Sequence, residues 1–379
     1  MKTKRALVAT GLVLGTSAFL FGAFFQSFEA DTAGWFNVIR VASGTDGVPS
    51  KTGAFHAKDV PISFGAYTFW GGDSKTFPVG GYTTTIDIYL DIAPPYMTGS
   101  VTPYNNDTRF DWTSAIGTPQ CGHRRDFVFN AGFYTDVDTT GAGPRFVISA
   151  SNNAGRANSF PKNPGRDPFT IYLEGWYTFE HRFYAVPATP GGVLHVDLTI
   201  KNAVGVPLFT WTLSDLSDII GGTVGGNQYG WFAQNEFPAG LAFDTSALIG
   251  FQDYCVPPDS TPGAKITGGG WIPVAGGKAS FGLTAQVKKN STTPSGNLTY
   301  HDHPQNRSVK STAINSLVVT GPCADISGTA TVNGAGSVGF QARACDNGEP
   351  GQDTDTFSIV MSDGYTAMGT LGGGNIQIH

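Results

Sequence analysis

The run Val193–Lys201 alternates without a break. Leu194, Val196, Leu198 and Ile200 fall on one side, and His195, Asp197, Thr199 and Lys201 on the other. A period of two over nine residues describes a strand with one buried face, not a helix. Two neighbouring runs share the rhythm. Trp176–Val186 carries Trp176, Tyr177, Phe179, Phe183 and Tyr184, and Pro207–Leu213 carries Phe209, Trp211 and Leu213 on one face. Pro187, Pro190, Gly191 and Gly192 make the first turn between them, and Asn202, Gly205 and Pro207 the second. The pattern predicts three consecutive antiparallel strands at the centre of a large β-sandwich.

Other stretches agree. Thr84, Ile86, Ile88, Leu90 and Ile92 alternate with Thr83, Thr85, Asp87, Tyr89 and Asp91. Phe36–Ala42, Asp126–Tyr134, Phe146–Ser151, Tyr229–Phe232 and Leu241–Phe243 read as further strands. Beyond the N-terminal apolar run no long stretch repeats at 3.6 residues. The fold class is therefore all-β. The 379 residues leave room for two domains, and 51 Gly with 23 Pro supply many turns.

Lys2, Lys4 and Arg5 precede an apolar run from Ala6 to Phe25. This is the pattern of a secretory signal over residues 1–25, with Thr16-Ser17-Ala18 offering small residues for cleavage. The run is also long enough for an uncleaved anchor. Gly11, Gly15, Thr16 and Ser17 dilute it and favour cleavage, which leaves no membrane span in the mature chain. Four cysteines fit an oxidising compartment. Three pairings are open to them. Cys323 and Cys345 flank a hairpin turning at Asn333-Gly334-Ala335-Gly336 and fall opposite each other within a residue, which leaves Cys121 with Cys255. Net charge is −6, and no Lys/Arg run follows the first five residues. A nucleic-acid partner needs a basic stripe, so that class is set aside.

The order of elements from Phe28 to Tyr254 resembles the concanavalin-like or laminin-G-like jelly roll. Phe28-Glu29 with Gly34-Trp35, the Trp176-Tyr177 strand start, the Gly191-to-Leu194 turn and the closing Gly240-to-Asp244 carry the resemblance. It implies a two-sheet sandwich over residues 26–254 with a concave face often used for glycans. A Pro-rich linker follows at 255–263. Residues 264–379 shift to Gly, Thr, Ser and Asn with short strands in a meander. This part resembles the post-COAP family of C-terminal domains in secreted bacterial proteins. The match lies in Ile266-Thr267-Gly268-Gly269-Gly270-Trp271-Ile272, Gly276-Gly277-Lys278-Ala279, Gly296-Asn297-Leu298-Thr299-Tyr300, Asp346–Gly351 and Gly372–His379. The family implies location and fold, not chemistry.

Tests for catalysis find little. Asp87 and Asp91 share a strand face, but four strand residues span about 13 Å, beyond the roughly 5–9.5 Å of glycosidase carboxylate pairs. A polysaccharide lyase needs a cation or amide to neutralise a substrate carboxylate and a His or Tyr base. His123-Arg124-Arg125-Asp126 with Asn130 and Tyr134 supplies those residue types, against the alternative of an Arg/Asp pair beside a disulfide. Glycan binding asks for exposed aromatics and planar polar side chains. Trp70 and Trp112 lie in turn-rich context, as binding platforms or as packing residues. With Asp87, Tyr89 and Arg125 they form the candidate ligand set, which requires that they line one groove. Asp346, Asn347, Glu349, Asp353 and Asp355 share a loop that is either a calcium site or a solvated acidic turn. His301 and His303 straddle Asp302 and make half a metal site. The sequence favours a secreted non-catalytic protein that binds a polysaccharide or cell-surface glycan. The alternatives are a lyase-type carbohydrate-active enzyme and a structural matrix or surface protein.

Overall fold

The computed structural model describes residues 24–59, 65–92, 109–134, 143–152, 167–188, 191–237, 240–255 and 260–379. Most of the expected signal (1–23), the polar loop at 153–166 and the prolines at 257 and 258 lie outside them. Among the described residues the structure is strand and turn, with one short 3₁₀ turn at Thr45–Gly47. No described helix is long and apolar enough to cross a membrane.

Two antiparallel sheets face each other in the first part. The first runs in the order Pro207–Ile219, Val193–Lys201, Gly175–Val186, Tyr82–Leu90, Ala242–Ile249, Phe55–Asp59, Val38–Ala42, with Phe24–Gln26 also pairing with Ala242–Ile249. The second runs Phe169–Ile171, Arg145–Asn152, His123–Tyr134, Arg109–Gly117, Asn227–Asn235, Tyr67–Thr68, Trp35–Phe36. The three alternating runs do pair in sequence, Phe179 opposite Ile200 and Leu198 opposite Trp211. They reach the edge of the sheet rather than its centre, because nothing pairs with the far side of Pro207–Ile219 among the named strands.

Alternation decides which side chains meet between the sheets. Ile86, Ile88, Phe179, Phe183, Leu194, Val196, Leu198 and Ile200 close on Phe110, Trp112, Phe127, Phe129 and Phe232, all of them fully buried. Burial of such apolar surface is the main term holding two sheets together. The expected strand Phe36–Ala42 is in fact two. Asn37 adopts φ 60 and its amide donates to the Gly65 carbonyl (2.9 Å), so Trp35–Phe36 joins the second sheet and Val38–Ala42 the first. Asparagine tolerates that left-handed conformation better than most residues. Phe24 and Phe25 pair with Leu248 and Ala247, so the boundary drawn after residue 25 falls inside a strand.

The second part is one nine-stranded sheet. Lys265–Val274, Gly277–Val287, Pro294–Asp302, Arg307–Thr320, Cys323–Val332, Ala335–Cys345, Thr356–Met361 and Thr366–Thr370 follow as a meander, and Gly373–Ile378 closes beside Lys265–Val274. The sheet curls into a half-barrel around its own core, where Phe281 stacks on Phe357 at 4.0 Å. Residues 260 and 261 are pinned to this sheet: the Ser260 hydroxyl accepts the Leu317 amide, and the Thr261 amide donates to the Leu317 carbonyl. Disulfides join Cys121 to Cys255 and Cys323 to Cys345, the latter two directly opposed on adjacent strands.

Candidate functional site

Trp70 and Trp112 are both 0% exposed, which corrects their reading as platforms. Trp112 sits on the strand Arg109–Gly117, where Phe110, Trp112 and Ile116 all point inward. Ser114 shares that inward side, its hydroxyl accepting a bond from Thr84 inside the sandwich (3.0 Å). Trp70 has φ 56, in a turn braced by the Thr68 hydroxyl on the Trp70 amide. That turn sends the indole back between the sheets, edge-on to Trp112 at 6.1 Å. Trp35 stacks on Trp112 beside them.

The other three expected ligand residues do not share a groove. Asp87 and Tyr89 face outward from the first sheet. Asp87 accepts bonds from the Lys51 ammonium (2.6 Å) and the Thr178 hydroxyl, and the Tyr89 hydroxyl donates to Glu174. Segment 49–52 lies over this face. The Asp244 carboxylate accepts the Lys51 and Thr52 amides, and the Trp176 indole N–H donates to the Pro49 carbonyl (2.8 Å). Burial pushes the Asp244 carboxyl up to about 6. Arg125 stands at the seam between the sheets instead, held by Asp218. A guanidinium so engaged is structural, so Arg125 leaves the ligand set.

The structure gathers exposed aromatics elsewhere, on the outward face of the second sheet. Register places Phe36 opposite Tyr67 and Tyr67 opposite Trp231 in one cross-strand row. Phe36 is 47% exposed and stacks on Tyr67 at 4.8 Å and 13°. Phe69, 43% exposed, meets both rings edge-on. Tyr229, two residues from Trp231 on the same face, extends the row, with the His123 imidazole stacked on it at 6.0 Å. Beside Phe36 and Phe69 a depression is lined by Gly34, Gly71, Gly72, Asp73 and Cys255. Phe36, Tyr229 and Trp231 were legible as strand residues, but not as a platform, because pairing Phe36 with Tyr67 required the sheet switch at Asn37.

The row continues into polar side chains. Trp231 lies opposite Thr113, and Asp111 lies opposite Asn130, which lies opposite Ser149. The Asn130 amide donates to Asp111 (3.0 Å), and the Ser151 hydroxyl donates to the Asn130 carbonyl oxygen (2.7 Å). These groups are nearly withdrawn from solvent. At the other end the Tyr229 hydroxyl donates to Asp126 (2.8 Å), with the His123 Nε2 3.3 Å from the same carboxylate. The hydrogen bond to Asp126 raises the His123 pKa. The face thus offers aromatic surface with an imidazole, a phenol and a carboxylate at its His123 end, while the Asp111–Asn130–Ser151 network beside it is closed to solvent.

The acidic loop does not converge on a point. Asp355 accepts the amides of Asn347 and Ile376, Asp346 that of Ile378, and Glu349 the side-chain amides of Asn375 and Gln377. Asp353 turns at φ 63, its carboxylate accepting from Gln352. The carboxylates serve to staple the loop to the last strand, and no group of three or more His, Cys, Asp or Glu among the described residues could hold a metal ion. Of the two readings of Asp346, Asn347, Glu349, Asp353 and Asp355, a calcium site or an acidic turn, this arrangement favours the turn.

No family model matches the chain, and no curated protein matches it. Among solved structures it is similar to the CBM2 module of Lactobacillus casei BL23 phage J-1 evolved Dit, at a TM-score of 0.29 and 10% identity. The alignment covers 60% of this chain and 94% of that one. A likeness of this order carries no argument about fold or function.

Proposed function

We propose that this is a secreted, non-catalytic protein that binds glycans along the outward aromatic row of the second sheet. The observation that carries the reading is the exposed Phe36–Tyr67–Phe69 cluster, in register with Trp231 and continued by Tyr229 with His123 and Asp126. Aromatic rings held on a sheet take the apolar faces of sugar rings, and polar groups at their margin, here His123 and Asp126, take the hydroxyls. Large aromatics left exposed on a rigid strand mark an interaction surface more often than chance exposure does. The basic and apolar N-terminal run and the two disulfides support export. The last third, by its resemblance to post-COAP domains, is read as a C-terminal accessory domain of such a protein.

The test is a panel of neutral and acidic polysaccharides in affinity electrophoresis, with the full chain and with Trp231→Ala, Tyr67→Ala and Phe36→Ala. Binding that each substitution weakens about tenfold, with unchanged thermal midpoint, is the expected result. Retarded migration on none of the polymers would remove the proposal.

A second reading, a lyase, is favoured by the His123–Asp126–Tyr229 cluster, which could move a proton. Such a reaction also needs a group to neutralise the substrate carboxylate, and Arg124 and Arg125 are both engaged by Asp218. Unsaturated products from a uronate polymer, lost in His123→Ala, would establish it over the binding reading.

A further inference from the structure

We infer that the outward face of the nine-stranded sheet around Trp271 is a second binding surface, for an acidic polysaccharide. It is separate from the aromatic row of the second sheet and does not rest on it. Ile266 and Ile272 point into the half-barrel, so Thr267, Gly269 and Trp271 point out. Register sets Trp271 beside Ser280 and Ser280 beside His301. The next row is Gly269, Gly282, Thr299 and Lys310.

Trp271 is partly exposed and held in one orientation. Its ring lies across Gly372 and Gly373, where a Cβ would come within 2.1 and 2.7 Å of the indole. The Lys278 ammonium sits 5.6 Å from the ring centroid. His301 and His303 meet edge to face at 4.5 Å, and His303 Nε2 lies 3.1 Å from the Ser280 hydroxyl. Asp302, between the two histidines, turns inward and takes the Tyr365 hydroxyl, so its charge is absent from this face. Lys278 and Lys310 therefore stand on it, against the carboxylate of Glu349, which is bonded to Asn375 and Gln377 on the strand beside Gly269 and Thr267. In a chain of net charge −6 that is a local reversal of sign.

The floor between these groups is bare. A Cβ at Gly269 would meet nothing nearer than 3.4 Å, and one at Gly282 only the Thr299 hydroxyl at 3.2 Å. Packing therefore does not demand glycine at either position, whereas at Gly270 a Cβ would strike the Gly373 carbonyl at 2.3 Å. Glycine inside a strand weakens it and leaves backbone open to a close neighbour. A sugar ring laid on that floor would stack against the fixed indole while its carboxylate or sulfate met the lysines and imidazole N–H groups.

The experiment measures binding of the full chain to polygalacturonate, heparin and dextran. Expected are salt-sensitive binding to one or both acidic polymers and little to dextran at this surface. Trp271→Ala and Gly282→Val should each weaken acidic-polymer binding about tenfold, while Leu216→Ala, at an exposed position on the first sheet outside both surfaces, leaves it unchanged. Valine suits a strand, so Gly282→Val should keep the wild-type melting midpoint and separate blocking from unfolding. Polygalacturonate against heparin decides between carboxylate and sulfate. Absence of binding to both, or affinities unmoved by both substitutions, would overturn the inference. Loss of dextran binding in Trp231→Ala alone would bear on the first surface only.

Discussion

Arg125 and Asp218 meet in the seam of the sandwich, Nε to Oδ2 at 2.5 Å and Nη2 to Oδ1 at 3.0 Å, both side chains almost wholly buried. One lies on the second sheet and the other on the first, so the pair ties the two layers together. Arg124 donates to the same carboxylate. A buried pair costs desolvation to form, but removing one member strands the other. Asp218→Ala should therefore destabilise by about 3–5 kcal/mol. A joint Arg125→Met, Asp218→Leu change should cost less than either substitution alone. Urea midpoints of the two single variants and the double check this, and a double variant less stable than either single would contradict it.

Trp112 and Trp231 separate packing from binding. Trp112 fills the sandwich between Trp35, Trp70 and Phe232, so Trp112→Ala leaves a cavity and should cost about 3–5 kcal/mol. Trp231 is on the outward face, and Trp231→Ala should leave the thermal midpoint within a few degrees while glycan retention falls. Paired calorimetry and affinity electrophoresis on the two variants read both effects. The reverse pattern would move the platform to Trp112.

The sequence carried the architecture further than the site. Alternation in Val193–Lys201 and Tyr82–Leu90 marks a buried face because a strand's side chains must alternate. The hairpin count from Asn333 to Gly336 set Cys323 against Cys345 for the same reason. The burial of Trp112 was also present, in the spacing of Phe110, Trp112 and Ile116, but Ser114 broke the apolar rhythm. What alternation could not reveal was which strands are neighbours. Tyr67 and Trp231 are 164 positions apart and meet through register alone. Nor could it show that Arg125 finds Asp218, since that partner arrives with six residues of strand beyond the predicted end at Leu213.

His181 sets one limb of the pH dependence. It is fully buried, its Nε2 is 3.1 Å from the Phe127 carbonyl, and burial drives its pKa down from 6.5 to about 3. The folded chain keeps it neutral where the unfolded chain protonates it. Its contribution is whole above pH 6.5 and is lost as pH falls from there toward 3, at about 1.4 kcal/mol per pH unit. Asp59 and Asp244 act with the opposite sign. Burial raises both to about 6, so their contribution is present below 3.8 and lost as pH rises through 6. His181→Phe, which faces Phe129 and Phe183, removes only the first term. The difference in unfolding free energy between variant and wild type should grow in the variant's favour from pH 7 to pH 4. A difference flat with pH would mean that the imidazole titrates in the fold as it does in the unfolded chain.

Asp355 decides what holds the acidic loop. It is 0% exposed, with Oδ1 on the Asn347 amide (2.9 Å) and Oδ2 on the Ile376 amide (2.8 Å). The second bond fastens the loop to Gly373–Ile378, the strand that closes beside Lys265–Val274. Asp355→Ala leaves the buried Ile376 amide without its acceptor, at a cost of about 1–3 kcal/mol, and frees the more exposed Asn347 amide to water at less cost. Asparagine keeps one oxygen and should recover part of the loss. If these amides and not a cation satisfy the carboxylate, a chelator leaves the melting midpoint in place and added calcium does not raise it. A midpoint that drops on chelation and returns with calcium would show that the carboxylates of this loop hold an ion in solution.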